Sequence, residues 1–139
     1  MFVSRYPIRV HWGDCDPAGI VFYPRYFEYF NACTEMLFEQ ALGSKKIEWT
    51  RAFGIVGIPM VDTRARFLVP SRYGDELLVE SHVEAFRRTS FEIRHRVMKA
   101  GELAVEGFET RVWTGHDADE PERLRGMPIP VEVVQALSR

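Results

Sequence analysis

"YPRYFEYFNACTEMLFEQALG", residues 23–43, is the stretch on which the fold turns. Tyr26, Phe30, Cys33, Leu37 and Ala41 recur at intervals of three and four, the spacing of one face of an α-helix. Phe27, Thr34 and Phe38 widen that face over much of the circumference. Pro24 suits the first helical position and Gly43 the C-terminal stop. A helix with so much apolar surface needs a sheet curved around it.

The flanking residues supply such a sheet. A short amphipathic piece over residues 46–53 ends at Gly54, and from Ile58 onward the hydrophobic period changes to two. Strands are predicted over residues 58–69, 76–86, 89–99 and 103–114, separated by PSRYGD, a tight turn at Arg87–Arg88, and KAGE. Upstream, residues 5–12 alternate with Tyr6, Ile8, Val10 and Trp12 on one side, which predicts one more strand. The closing MPIPVEVVQAL predicts one short helical turn on the surface. The order of elements is α+β, expected as one domain over residues 1–139.

Composition narrows the function. A hydrophobic fraction of 46% with 13% aromatic residues belongs to an ordinary folded protein. The net charge of −2 argues against a nucleic-acid binder, which would carry a basic balance or stripe. No apolar run approaches the roughly 18 residues needed to span a bilayer, and MFVSRYPIRV lacks the apolar core of a signal peptide. With Cys15 and Cys33 alone, a disulfide framework is not expected, and a reducing cytoplasm is.

Just ahead of the helix stands GDCDPAG, with two carboxylates, Asp14 and Asp16. Its D-x-D-x-x-G pattern matches the opening of a calcium loop, which takes ligands from positions 1, 3, 5 and 12. Counted from Asp14, position 5 is Ala18 and position 12 is Arg25, so a cation sits where a bidentate glutamate belongs. Cys15, Cys33 and the four histidines show no zinc spacing either. No metal site is expected. Turn-shaping is the plain role for such carboxylates, and Asp14, beside Gly13, fits it. For Asp16 the residues alone leave two roles open, a turn or chemistry.

The chemistry would come from the helix start. The first N–H groups of a helix lack internal partners and carry partial positive charge. Pro24 has no N–H, so the Tyr23 N–H becomes a natural free donor. A donor there can hold the oxyanion of a tetrahedral intermediate, an effect worth about 3–4 kcal/mol. A neighbouring carboxylate can attack a carbonyl or activate water.

The stretch GDCDPAGIVFYPRYFEYFNA resembles the signature of the 4-hydroxybenzoyl-CoA thioesterase family, within the hotdog-fold superfamily. The resemblance extends to GIVGIPMVDTRARFLVPSRYGDEL and FRRTSFEIRHRV, in the same order and spacing, and so covers most of the chain. It implies the hotdog fold, an antiparallel sheet wrapped around one long helix. It also implies homodimers, often paired into tetramers, with acyl-CoA bound at the subunit interface and no cofactor apart from the CoA of the substrate. Asp16 matches the family's catalytic carboxylate, and Tyr23 the residue whose backbone N–H polarises the thioester carbonyl. Gly19, Ile20, Val21 and Phe22 match the lining of the approach. Arg87, Arg88, Thr89 and Ser90 fall where the family binds CoA phosphates, a task that suits the planar fork of arginine.

Three departures bear on the substrate. Thr89 stands where these enzymes commonly carry Lys, a loss of charge that Arg123 or Arg125 would offset. Asn31 stands where their helix carries an Asp that accepts from the substrate's phenolic hydroxyl, and Ile58 occupies a polar position. Buried polar groups discriminate strongly between substrates that differ by one hydroxyl. The expected substrate is therefore an aryl-CoA or short acyl-CoA resembling 4-hydroxybenzoyl-CoA, with the acyl group itself left open. The rival functions are a non-catalytic acyl-CoA-binding protein and a hydratase on the same fold. His11, His82 and His95 fall on expected strands and are assigned no catalysis. His95, inside RHR, is expected to face solvent.

Overall fold

The computed structural model describes residues 1–139. The chain runs β1 (Ser4–Arg9), a 3-10 turn (Trp12–Asp14), α1 (Pro24–Leu42), α2 (Lys46–Phe53), β2 (Met60–Phe67), β3 (Glu76–Phe86), β4 (Ser90–Lys99) and β5 (Glu102–Val112). It closes with β6 (Thr114–His116), β7 (Leu124–Gly126) and α3 (Val131–Ser138). β1 to β5 form one sheet in the order β1-β3-β4-β5-β2, with every neighbouring pair antiparallel. β6 and β7 form a separate ribbon.

α1 sits against the inner face of that sheet, as its apolar circumference requires. Tyr26, Phe30, Cys33, Thr34, Leu37, Phe38 and Ala41 are all buried. Gly43 stops the helix in the left-handed region at φ 74°, and its N–H donates to the Glu39 carbonyl. From the sheet come Leu77, Val79 and Val83 on β3, Phe91, Ile93 and Val97 on β4, and Val105 on β5. Gly107 is the seat for Phe30: a Cβ there would lie 2.5–2.8 Å from three carbons of the ring. The same ring stacks on His95, with centroids 4.8 Å apart and planes 6° from parallel.

Several expectations need correction. The first strand ends at Arg9, because the chain turns through Trp12–Asp14 and leaves Trp12 77% exposed instead of inward with Val10. β2 begins at Met60, since Pro59 has no N–H to give a ladder, and it ends at Phe67. The last predicted strand divides, with β5 ending at Val112 and β6 resuming at Thr114. The tail is a full helix, α3, and its Val133 and Leu137 enter the core beside Leu37, Phe38, Trp49 and Trp113. His95 is fully buried: strand alternation turns it inward while Arg96 is exposed.

β1 and β2 are the two edges of the sheet, and nearly all of β2 is exposed, Met60, Val61 and Phe67 as well as Asp62, Thr63, Arg64 and Arg66. Phe67 packs edge-on against Tyr23, 6.4 Å between centroids, so the end of β2 meets the start of α1. No helix is long and apolar enough to cross a membrane.

Candidate active site

The loop before α1 is built by its own backbone. Cys15 and Val21 form an antiparallel bridge, and the Asp16 N–H donates to the Ile20 carbonyl at 3.1 Å. The Gly19 N–H closes the tip on the Asp16 carbonyl at 2.8 Å, with Gly19 at φ 81°, where any other residue would be strained. The loop is tied down by Val21 N–H to the Ser71 carbonyl (2.9 Å) and Phe22 N–H to the Asp14 carbonyl (2.8 Å).

The two aspartates part company here. Asp14 is structural: its Oδ2 accepts from the His11 N–H (2.9 Å) and the Tyr29 hydroxyl (2.7 Å). Burial, then the bond to Asp14, pushes the Tyr29 hydroxyl well above the usual tyrosine range, so it stays a donor. Asp16 Oδ1 accepts from the Ala18 N–H at 2.9 Å, and no group in the chain meets its Oδ2. That carboxylate lines a cavity of about 340 Å³ with Trp12, Cys15, Pro17, Gly19 and Tyr73.

At the start of α1 the Arg25 N–H donates to the Phe22 carbonyl and the Tyr26 N–H to the Tyr23 carbonyl. Pro24 has none to give. The Tyr23 N–H is left with no acceptor in the chain, on a residue 60% exposed. Beside it lies a second cavity, about 340 Å³ and almost wholly apolar, lined by Ile20, Val21, Tyr23, Tyr26, Phe67, Leu68, Val69 and Pro70. The two cavities meet the chain at successive residues, Gly19 and Ile20. Phe22 is exposed next to Tyr23, 5.5 Å between ring centroids. A free carboxylate oxygen, a free N–H and an apolar hollow are thus held along one short segment. Such a set can hydrolyse an activated carbonyl.

A match to the family model described as "Thioesterase-like superfamily" runs over residues 10–137 and takes in this whole segment. The chain belongs to that superfamily. Over 135 residues it is 33% identical to the 4-hydroxybenzoyl-CoA thioesterase of Pseudomonas sp. (strain CBS-3), covering 94% of each protein. A solved structure of a 4-hydroxybenzoyl CoA thioesterase mutant, complexed with 4-hydroxybenzoyl CoA, matches with a TM-score of 0.86 at 31% identity, over 97% of this chain and 98% of that one. A gentisyl-coenzyme A thioesterase matches with a TM-score of 0.80 at 29% identity, over 98% of this chain and 100% of that one. The fold is the hotdog fold of these thioesterases, as the sequence resemblance implied.

The remaining expected site residues of this thioesterase-like chain lie in two further places. Arg87 and Arg88 turn between β3 and β4, where the Arg87 N–H donates to the Ser90 carbonyl. Arg87 is already paired with Glu92 at 3.0 Å, whereas Arg88 is exposed and makes no ion pair. Thr89 supports the turn through its carbonyl, which accepts from the Trp113 N–H at 2.7 Å. A Cβ on Gly126 would lie 3.3 Å from Thr89, so β7 passes beside the turn.

Asn31 and Ile58 converge on a residue the sequence reading missed, Arg111. Its Nη2 donates to Asn31 Oδ1 (3.0 Å) and its Nη1 to the Ile58 carbonyl (3.0 Å). Ile58 otherwise departs from expectation: its side chain lies in the core, 4% exposed. Arg111 Nε also donates to Glu109 Oε1 (2.9 Å), which accepts from the Thr34 hydroxyl as well (2.6 Å). His95 completes the network, 3.5 Å from Glu109 and 2.6 Å from the Ser81 hydroxyl. Burial pushes the Glu109 carboxyl up, but His95 and Arg111 overcome it and hold it down to about 2. The signal was present in the strand period, which sets 109 and 111 on the same face as the buried Val105.

Proposed function

We propose that this chain hydrolyses acyl-CoA thioesters at the segment from Asp16 to Tyr23. The observation that carries the proposal is the unpartnered Tyr23 N–H at the start of α1, close in the chain to a carboxylate with one free oxygen. The similarity to thioesterases over nearly the whole chain supports it. In this reading the thioester carbonyl oxygen points at the Tyr23 N–H, which stabilises the negative charge that develops there. Asp16 attacks the carbonyl carbon, the C–S bond breaks, and CoA leaves as the thiolate. Water then cleaves the acyl-aspartyl anhydride, giving the free acid and restoring the carboxylate. Gly19, Ile20, Val21 and Phe22 wall the approach. Arg88 holds the CoA phosphates at the β3–β4 turn. The step requires no metal and no redox cofactor.

The working form is a homodimer joined along β2, and two dimers pair into a tetramer. The unpaired edge of β2 supports this, because an open edge strand offers free backbone N–H and carbonyl groups to a second copy. A cytoplasmic setting suits the two free thiols, Cys15 and Cys33.

The test is thiol release from a series of aryl-CoA, short acyl-CoA and long fatty acyl-CoA esters. Turnover of aryl or short esters is expected, and binding without hydrolysis across the series would make the chain an acyl-CoA-binding protein instead. A single turnover in oxygen-18 water with enzyme in excess separates two routes. Attack by Asp16 leaves the first acid released unlabelled when water adds at the aspartyl carbon, whereas direct attack by water labels it at once.

A further inference from the structure

The loop ahead of α1 folds as a ribbon of two arms. Residues 14–16 face residues 20–22 across the Cys15–Val21 bridge, with Asp16 N–H to the Ile20 carbonyl on one side of it and Phe22 N–H to the Asp14 carbonyl on the other. Asp16 rides on this ribbon. The Tyr23 N–H belongs to the helix instead. It shares a planar peptide unit with the Phe22 carbonyl, which the Arg25 N–H holds at 2.9 Å. The distance between the two groups therefore follows the angle at which the ribbon leaves α1.

Ties at both arms fix that angle. The second arm and the tip are bound to the segment after β2, through Val21 N–H to the Ser71 carbonyl (2.9 Å) and Arg72 Nη1 to the Gly19 carbonyl (3.5 Å). The first arm is bound to α1 itself by the Tyr29 hydroxyl, which donates to Asp14 Oδ2 at 2.7 Å. No other side-chain hydrogen bond joins residues 11–23 to α1. The same oxygen accepts from the His11 N–H at 2.9 Å, so it anchors the incoming turn as well. The Tyr29 ring packs edge-on against Tyr26, 5.7 Å between centroids, and Tyr26 is buried. The hydroxyl is thus presented from a fixed part of the helix. Neither Asp14 nor Tyr29 lines the cavity beside Asp16 or the hollow beside Tyr23.

We propose that Tyr29, acting through Asp14, is a positioning residue that sets the Asp16 carboxylate at its working distance from the Tyr23 N–H. The inference rests on the hydrolase reading of this segment. That reaction needs both groups on one carbonyl, the carboxylate at its carbon and the N–H at its oxygen, and a misplacement of about 1 Å costs about a hundredfold in rate. The brace works by hydrogen bonds and not by charge. Both groups that meet Asp14 Oδ2 are donors, and an amide oxygen accepts from them equally well.

The test is thiol release in a single turnover, with enzyme in excess, on whichever ester of the acyl-CoA series the wild type hydrolyses fastest. Tyr29→Phe keeps the ring and removes the bond, so the rate should fall about tenfold or more while KM stays within about twofold. Asp14→Ala should fall at least as far, and Asp14→Ala/Tyr29→Phe no further than Asp14→Ala, because the two residues act through one bond. Asp14→Asn should bring the rate back to within about threefold of the wild type. A bond that only stabilises the fold would lower the urea midpoint and leave the rate unchanged. A Tyr29→Phe rate within about twofold of the wild type therefore overturns the inference, and so does an Asp14→Asn as slow as Asp14→Ala. A chain that folds with neither Tyr29→Phe nor Asp14→Ala makes the bond a requirement of the fold alone and overturns it too. In each of these cases hydrolysis by the wild type leaves the hydrolase reading standing. A wild type that hydrolyses no ester of the series sinks both.

Discussion

Arg87 and Arg88 are neighbours in the chain with unequal freedom. Arg87 is paired with Glu92 across the turn, and Arg88 has no carboxylate partner. A phosphate must compete with Glu92 for the first and meets no competitor at the second. Arg88→Ala should therefore raise KM for an acyl-CoA several-fold more than Arg87→Ala, with kcat little changed in either, as steady-state kinetics would show. The free oxygen of Asp16 and the free N–H of Tyr23 lie where a carboxylate, a glycine bend and a Tyr-Pro helix start leave a local mark in the sequence. That mark left the role of Asp16 open between a turn and chemistry. His95 left no such mark. Its charged neighbours Arg94 and Arg96 invite an exposed placement, yet alternation along β4 sends them the other way and buries the imidazole against Phe30.

Among the elements, α1 was read correctly from its start at Pro24 to its stop at Gly43, since its periodicity and both terminal signals agree. α3 was underestimated because MPIP precedes it and hides the i, i+4 pair Val133 and Leu137, which closes the core beside Trp49 and Trp113. The contact that fixes α1 over the sheet, Phe30 on Gly107, joins residues far apart in sequence, and nothing local announces it. Gly107→Ala places a methyl group into the ring and should destabilise the fold by about 1–3 kcal/mol. Urea denaturation measures this, and an unchanged midpoint would mean that α1 is free to shift on the sheet.

At the scale of the whole molecule, Asn31, Thr34, Ser81, His95, Glu109 and Arg111 tie α1, β3, β4 and β5 into one polar network within an apolar core. Glu109 gives that network a pH signature. Its carboxyl titrates at about 2 in the fold against an ordinary 4.5, so the unfolded chain takes up a proton that the folded chain refuses. The stabilisation is complete above 4.5 and is lost as pH falls from there toward 2. Asp75 is held low too, chiefly by the Arg72 N–H, so the comparison is made with Glu109→Gln. That variant should lose less stability than the wild type on acidification, read from urea midpoints at pH values on either side of 4.5. The network was illegible in the sequence because its members are spread over four elements and meet only after the sheet has curved.

The site and the fold come together at the carboxylate ahead of α1. Asp16→Asn keeps the side chain's shape and its Oδ1 contact with the Ala18 N–H, while removing the anion. Thiol release from an aryl-CoA substrate by this variant, with binding followed in parallel, is the measurement that decides. The account predicts intact binding with turnover reduced by about a thousandfold or more. Turnover near that of the unaltered protein would contradict it.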